Sequence, residues 1–256
     1  MVYGLEKFKE YLGEYTNQYV FIGGTACDIL LNDLGASFRA TKDLDIVLIV
    51  EALDASFGRE FWKLIEDGGY QYREKSTGKE QFYRFSKPIK SGYPVMIELF
   101  SREPYNFDLQ FQTGLTPIYI EDSILSLSAI LLDHIYYDVL INSRRIVDGY
   151  SVIEIETVIL FKIKAWLDMK QKLENGEHVD SRNIKKHKND VFRLLANVLP
   201  SSKVEIDEKI EADIMLFIEM INHDRPDLKN LGIKGVGFEE MIELLENVYL
   251  KTLGAL

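Results

Sequence analysis

The stretch Thr41-Lys42-Asp43-Leu44-Asp45-Ile46-Val47-Leu48-Ile49-Val50 places two carboxylates at the mouth of an unbroken apolar run. Such a run predicts a strand from Leu44 to Val50 that is buried on both faces. Residues two apart on a strand project to the same face, so Asp43 and Asp45 point together, with Cα atoms about 6–7 Å apart. Two acids aimed at one point repel unless a cation lies between them. Hard Mg²⁺, with its oxygen ligands, suits the pair. The alternative is a solvated strand end. Val47 and Ile49 carry the same face onward into apolar sequence, which favours the metal.

Toward the N-terminus, Tyr19-Val20-Phe21-Ile22 reads as a short apolar strand running into Gly23-Gly24-Thr25, with a helix from there to about Leu34. Glycines at that junction let the backbone approach a ligand, and a helix N-terminus offers free N–H groups suited to phosphate. Thr25 followed by Asp28 also fits a capping box, which needs no ligand at all. Leu5, Phe8, Leu12 and Tyr15 recur at helical spacing. Toward the C-terminus, Phe57 to Asp67 reads as a helix ended by Gly68-Gly69. Gln81 to Phe85 and Pro94 to Phe100 read as strands. Within the second, Glu98 is flanked by large apolar residues and is costly to bury alone. Either it faces solvent across a half-exposed sheet, or it joins Asp43 and Asp45 and allows two metals to be held.

Beyond residue 120 the periodicity turns helical. Asp122 to about Ile141, Glu156 to Leu173, Arg182 to Leu199, Asp207 to Asn222 and Phe238 to Leu253 predict helices. Strand patches near Pro117–Ile120 and Gly149–Ile155 interrupt them. The fold expected is α+β: a mixed β-sheet flanked by helices, then a C-terminal helical bundle. The first domain spans 1–121 and the second 122–256, with the division as late as 155.

The chain of 256 residues carries a net charge of −11. Nucleic acid is therefore repelled on average, and an RNA partner needs a local basic patch. Residues 151–199 are net +2, against −7 for 1–150 and −6 for 200–256. No run of about 18 uncharged apolar residues exists, so no membrane partner is expected. The charged stretch Met1–Tyr15 lacks the apolar segment of a secretory signal. The single cysteine, Cys27, excludes an internal disulfide framework and a cysteine-cluster zinc site. A cytoplasmic location is the expectation.

Gly-Gly-Thr at a helix start, a D-x-D strand some twenty residues later and an acid inside another strand together resemble the nucleotidyltransferase fold of the DNA polymerase β type. Phe161-Lys162-Ile163-Lys164-Ala165-Trp166-Leu167-Asp168 and Lys186-His187-Lys188-Asn189-Asp190-Val191-Phe192-Arg193-Leu194 are similar to the two C-terminal motifs of AbiEii-like toxin nucleotidyltransferases. The resemblance covers roughly residues 20–195. Thr25 stands where Ser is commoner, and Lys186-His187 stands where that family commonly has Arg-Asp.

The resemblance implies that Gly23, Gly24 and Thr25 cradle the triphosphate of an NTP. Asp43, Asp45 and Glu98 would hold two Mg²⁺ ions, Glu98 also serving as a base. Lys162 would contact nucleotide phosphates, with Asp190 orienting it or the nucleotide. It further implies NMP transfer to an acceptor hydroxyl, with a tRNA or other RNA end favoured. The same resemblance implies a toxin of a type IV toxin–antitoxin or phage-resistance pair, hence a cognate antitoxin.

At 100° per residue, Lys162 and Lys164 flank the apolar stripe of their helix about 160° apart, so only one enters a small pocket. Lys164 pairs naturally with Asp168. Arg39 and Lys186 are candidate phosphate or acceptor contacts, and Arg182, Lys185, Lys186, Lys188 and Arg193 form a basic run where RNA backbone would rest. His187 is read as a core residue. Two other classes remain open: a nucleotide-binding module without turnover, and a small-molecule nucleotidyltransferase of the aminoglycoside-modifying kind, whose polycationic substrate would prefer an acidic cleft.

Overall fold

The computed structural model describes residues 2–39, 41–72, 83–102, 115–118 and 127–250, with 115–118 and 127–131 described as backbone. It divides into two compact units, Met1–Glu154 and Ile155–Leu256. The architecture is α+β.

In the first unit, the described residues form α1 (Leu5–Leu12), β1 (Tyr19–Phe21), α2 (Gly23–Asp33), β2 (Asp43–Leu48), α3 (Ala55–Gly68), β3 (Arg84–Ser86), β4 (Met96–Ser101), β5 (Leu115–Ile118), β6 (Leu127–Leu131), α4 (His134–Asn142), β7 (Arg144–Val147) and β8 (Tyr150–Ile153). They build one mixed sheet in the order β5-β6-β4-β2-β1-β8-β7, with β3 joined to β4. β2 and β4 are parallel neighbours with Leu44 opposite Ile97 and Ile46 opposite Leu99. β1 runs antiparallel to β2. β3 pairs antiparallel with the first half of β4, and β6 pairs parallel with its last two residues.

The alternation along these strands explains the layers. Leu44, Ile46, Ile97 and Leu99 face one side and are fully buried with Phe21 and Phe85. Phe8 of α1 packs on Tyr19 and Phe21, and Phe61 of α3 packs edge-on against Phe85. Each such ring contributes about 1.5–3 kcal/mol by leaving water. α3 starts at Asp54, whose carboxylate accepts the N–H groups of Ser56 and Phe57. It stops at Gly69, whose φ of 66° no L-side chain takes readily. The other side of β2 carries Asp43, Asp45 and Val47.

One expected helix is not formed as drawn. Of Asp122 to Ile141, residues 127–131 are strand β6, and the helix α4 begins only at His134. Short apolar runs do not separate strand from helix by periodicity, and here Leu127–Ile130 pair with β5 while Ile130 and Leu131 pair with β4. Asp133 then caps α4 by accepting the Ile135 N–H at 3.0 Å. β7 is an addition: Arg144–Val147 folds back on β8 as a hairpin. The expected boundaries at Gln81, Ile120, residues 121 and 122, and Leu253 lie outside the described residues.

The second unit holds α5 (Ile155–Glu174), α6 (Ser181–Leu195), α7 (Glu208–Ile221) and α8 (Phe238–Tyr249). Trp166 of α5 meets Phe217 of α7 edge-on, and Phe192 of α6 lies against Phe217 and Phe238. The Tyr249 hydroxyl donates to the Glu156 carbonyl at 2.8 Å and ties the end of α8 to the start of α5.

Candidate active site

At the end of β1 the Ile22 N–H donates to the Asp45 carbonyl at 3.0 Å, and the chain turns at once into α2. Gly23 makes that turn with φ of 61°, in the left-handed region. A Cβ there would collide with a carboxylate oxygen of Asp45, and a Cβ on Gly24 would stand 2.7 Å from the Thr41 Oγ1. A side chain at either glycine would push a neighbouring side chain aside, so the glycine turn and the segment leading into the D-x-D strand lie against each other. α2 has no side-chain cap. Thr25 does not form the capping box expected with Asp28. Its buried hydroxyl instead donates to the Asp43 carbonyl at 2.9 Å, tying the first turn of α2 to the first residue of β2. Thr25 therefore positions the acid strand.

Asp45 stands directly opposite Glu98 across the parallel β2–β4 pair, and Asp43 stands opposite Met96. In-register partners share a face, so Asp43, Asp45 and Glu98 all project from the side of the sheet that carries the glycine turn. Asp43 and Asp45 are both half-buried. Glu98, at 13% side-chain exposure, is claimed by a residue that sequence reasoning did not single out. Arg84 of β3 lies opposite Glu98 on its other side and holds Glu98 Oε1 through Nε at 2.6 Å and Nη2 at 2.5 Å. As these side chains stand, no three His, Cys, Asp or Glu among the described residues converge as an ion-holding group. The donor set is all-carboxylate and shares one face, which is the chemistry Mg²⁺ requires. Arg84 holds one oxygen of Glu98, Oε1, through both of its contacts.

In the second unit, Lys162 Nζ lies 3.1 Å from Asp190 Oδ2, with side-chain exposures of 4% and 0%. Arg193 approaches the same carboxylate at 3.4 Å. Lys164, on the other edge of α5, pairs with Asp168 at 3.1 Å and Asp213 at 3.6 Å. The basic run of α6 is largely neutralised from within: Arg182 binds Asp180, Lys188 binds Asp224 at 2.6 Å, and Arg193 binds Asp190. Lys186 sits on α6 one turn before Asp190, and the Arg39 guanidinium lies 5.0 Å from the Phe38 ring.

No helix among the described residues is long and apolar enough to cross a membrane. No protein-family model matches the sequence, and no curated protein matches it. Among solved structures the chain is similar to JHP933 from Helicobacter pylori, at 14% identity and a TM-score of 0.34, covering 95% of this chain and 88% of that one. A likeness this distant carries no argument about fold or function.

Proposed function

We propose that the chain is a Mg²⁺-dependent nucleotidyltransferase that moves an NMP from an NTP to an acceptor hydroxyl. One observation carries this reading: Asp43, Asp45 and Glu98 share one sheet face, and the glycine turn that opens α2 folds onto Asp45. The N-terminus of α2, which no side chain caps, accepts the triphosphate through its free N–H groups. Asp43 and Asp45 hold the metal, and Glu98 completes the set and takes the proton of the attacking hydroxyl. Bound Mg²⁺ would lower the pKa of that hydroxyl and stabilise the departing pyrophosphate. Thr25 keeps Asp43 in place. The reading uses the first unit alone; Lys162 and Asp190 enter it only through the resemblance to AbiEii-like toxins.

That resemblance favours an RNA end, tRNA included, as acceptor, and a toxin-like role beside a cognate antitoxin in the cytoplasm. The intramolecular pairing of three of the five α6 cations weakens the RNA part of it. Incubation with each α-labelled NTP, Mg²⁺ and total RNA, comparing wild type with Asp43→Asn, tests the proposal. Label transferred by wild type alone supports it. Absence of transfer to RNA, protein or aminoglycoside with every NTP overturns it.

A second reading, a nucleotide-binding module without turnover, is favoured by the Arg84 grip on Glu98. NTP binding without any transfer would select it.

A further inference from the structure

Across the sheet, Asp45, Glu98 and Arg84 form one lateral row on adjacent strands, each directly opposite the next. Neighbouring strands are about 4.8 Å apart, so the central carboxylate is within reach of both neighbours. Arg84 uses two nitrogens on a single oxygen, Oε1. Glu98 Oε2 accepts nothing among the described residues. Arg84 is also the more exposed partner of the pair, at 49% against 13%. A half-exposed guanidinium is held weakly in water. Another guanidinium of this unit, Arg102 on Glu51, is only 7% exposed and has the Tyr137 ring 5.3 Å away. Among the described residues no ring covers Arg84 in that way. The sheet thus sets a half-exposed cation on the carboxylate that stands directly opposite Asp45.

We propose that Arg84 is an exchangeable counterion of the acid row. It occupies Glu98 while the site is empty of metal, yields that carboxylate to a divalent cation, and then pairs with substrate phosphate. This inference rests on the metal-site reading above and adds to it a coupling between cation and polyphosphate. The donor fork of a guanidinium matches two phosphate oxygens as well as it matches a carboxylate, so release from one acid frees a group already shaped for the other anion. Two competitions follow. Arg84 and metal compete for Glu98, while Glu98 and phosphate compete for Arg84.

Each competition is measured with one probe. Mn²⁺ alone, followed by the loss of its free electron-spin signal, should bind Arg84→Gln about two- to fivefold more tightly than wild type, the range a half-exposed ion pair contributes. Inorganic triphosphate in the presence of EDTA should bind Glu98→Gln more tightly than wild type, and the gain should vanish in the Arg84→Gln/Glu98→Gln double variant. Unchanged or weaker Mn²⁺ binding by Arg84→Gln means that Arg84 merely positions Glu98, and overturns the exchange. A triphosphate gain that survives in the double variant overturns it as well. Failure of wild type to bind Mn²⁺, or equal binding by Asp45→Asn, overturns the metal site itself, and so separates the two claims. Arg84 is half exposed, and thermal unfolding of Arg84→Gln should lie within a few degrees of wild type.

Discussion

Lys162 on α5 and Asp190 on α6 form an ion pair 3.1 Å long from which water is almost excluded. Removing Asp190 strands the Lys162 charge in the interior, which costs about 3–5 kcal/mol. Removing Lys162 leaves Asp190 with Arg193 at 3.4 Å, and replacing both with apolar residues is often neutral. Asp190→Leu should destabilise strongly and Lys162→Met less, and the double variant should recover most of the loss. A urea-unfolding double-mutant cycle followed by tryptophan fluorescence reports it, since Trp166 lies one turn along the same helix. Additive losses would show that the two charges do not depend on each other.

Gly23 and Gly35 both have positive φ, 61° and 70°, but only Gly23 has a neighbour where a Cβ would go. Gly35→Ala should cost about 1–2 kcal/mol, the backbone penalty alone. Gly23→Ala adds the displacement of Asp45, and should cost more and also weaken divalent-cation binding. Mn²⁺ titration of the two variants checks this: Gly35→Ala keeps wild-type affinity, and Gly23→Ala does not.

Asp54 caps α3, and its carboxyl is held below the usual range by the Ser56 hydroxyl, then the Phe57 N–H, and the Gln18 amide. A carboxyl depressed by folding stabilises the protein above its unfolded pKa of about 3.9, and that contribution fades as pH falls through the lower folded value. Asn caps nearly as well but does not titrate. Wild type should therefore be the more stable at pH 7, with the gap to Asp54→Asn closing below about pH 4. Thermal melts of the two proteins between pH 2.5 and pH 7, in steps of about half a unit, measure it; a gap that stays constant with pH would refute the cap's ionic character.

Much of the acid site was legible because it rests on short-range rules. Strand alternation puts Asp43 and Asp45 on one face, and an acid amid apolar residues marks Glu98. The glycine pair announces a close approach without saying to what. Arg84 was not legible. Its relation to Glu98 depends on register across a nine-residue connection between β3 and β4, residues 87–95, which no hairpin turn type fixes. Its only local signal is alternation with Phe85 and Ser86. β6 is illegible for a related reason: Leu127–Leu131 is a strand because β5 and the end of β4 offer it partners, a tertiary fact absent from the segment itself. Helical spacing sets Lys162 at the edge of its apolar stripe and the resemblance links it to Asp190, yet the burial of the pair follows from packing.

Thr25 tests whether the glycine turn or the hydroxyl is the working part of the motif. Its side chain is fully buried and donates to the Asp43 carbonyl at 2.9 Å. Thr25→Val keeps the shape and leaves that carbonyl unpaired, costing about 1–3 kcal/mol. Thr25→Ser keeps the donor and loses a methyl, costing about 1 kcal/mol. If Thr25 acts by positioning Asp43, Thr25→Ser should retain Mn²⁺ affinity and Thr25→Val should lose it. Both should bind inorganic triphosphate in EDTA as wild type does, because the triphosphate meets the backbone of Gly23 and Gly24. A loss of triphosphate binding confined to Thr25→Val would instead place the hydroxyl on the phosphate. Calorimetric titration of the two variants with each probe separates these outcomes.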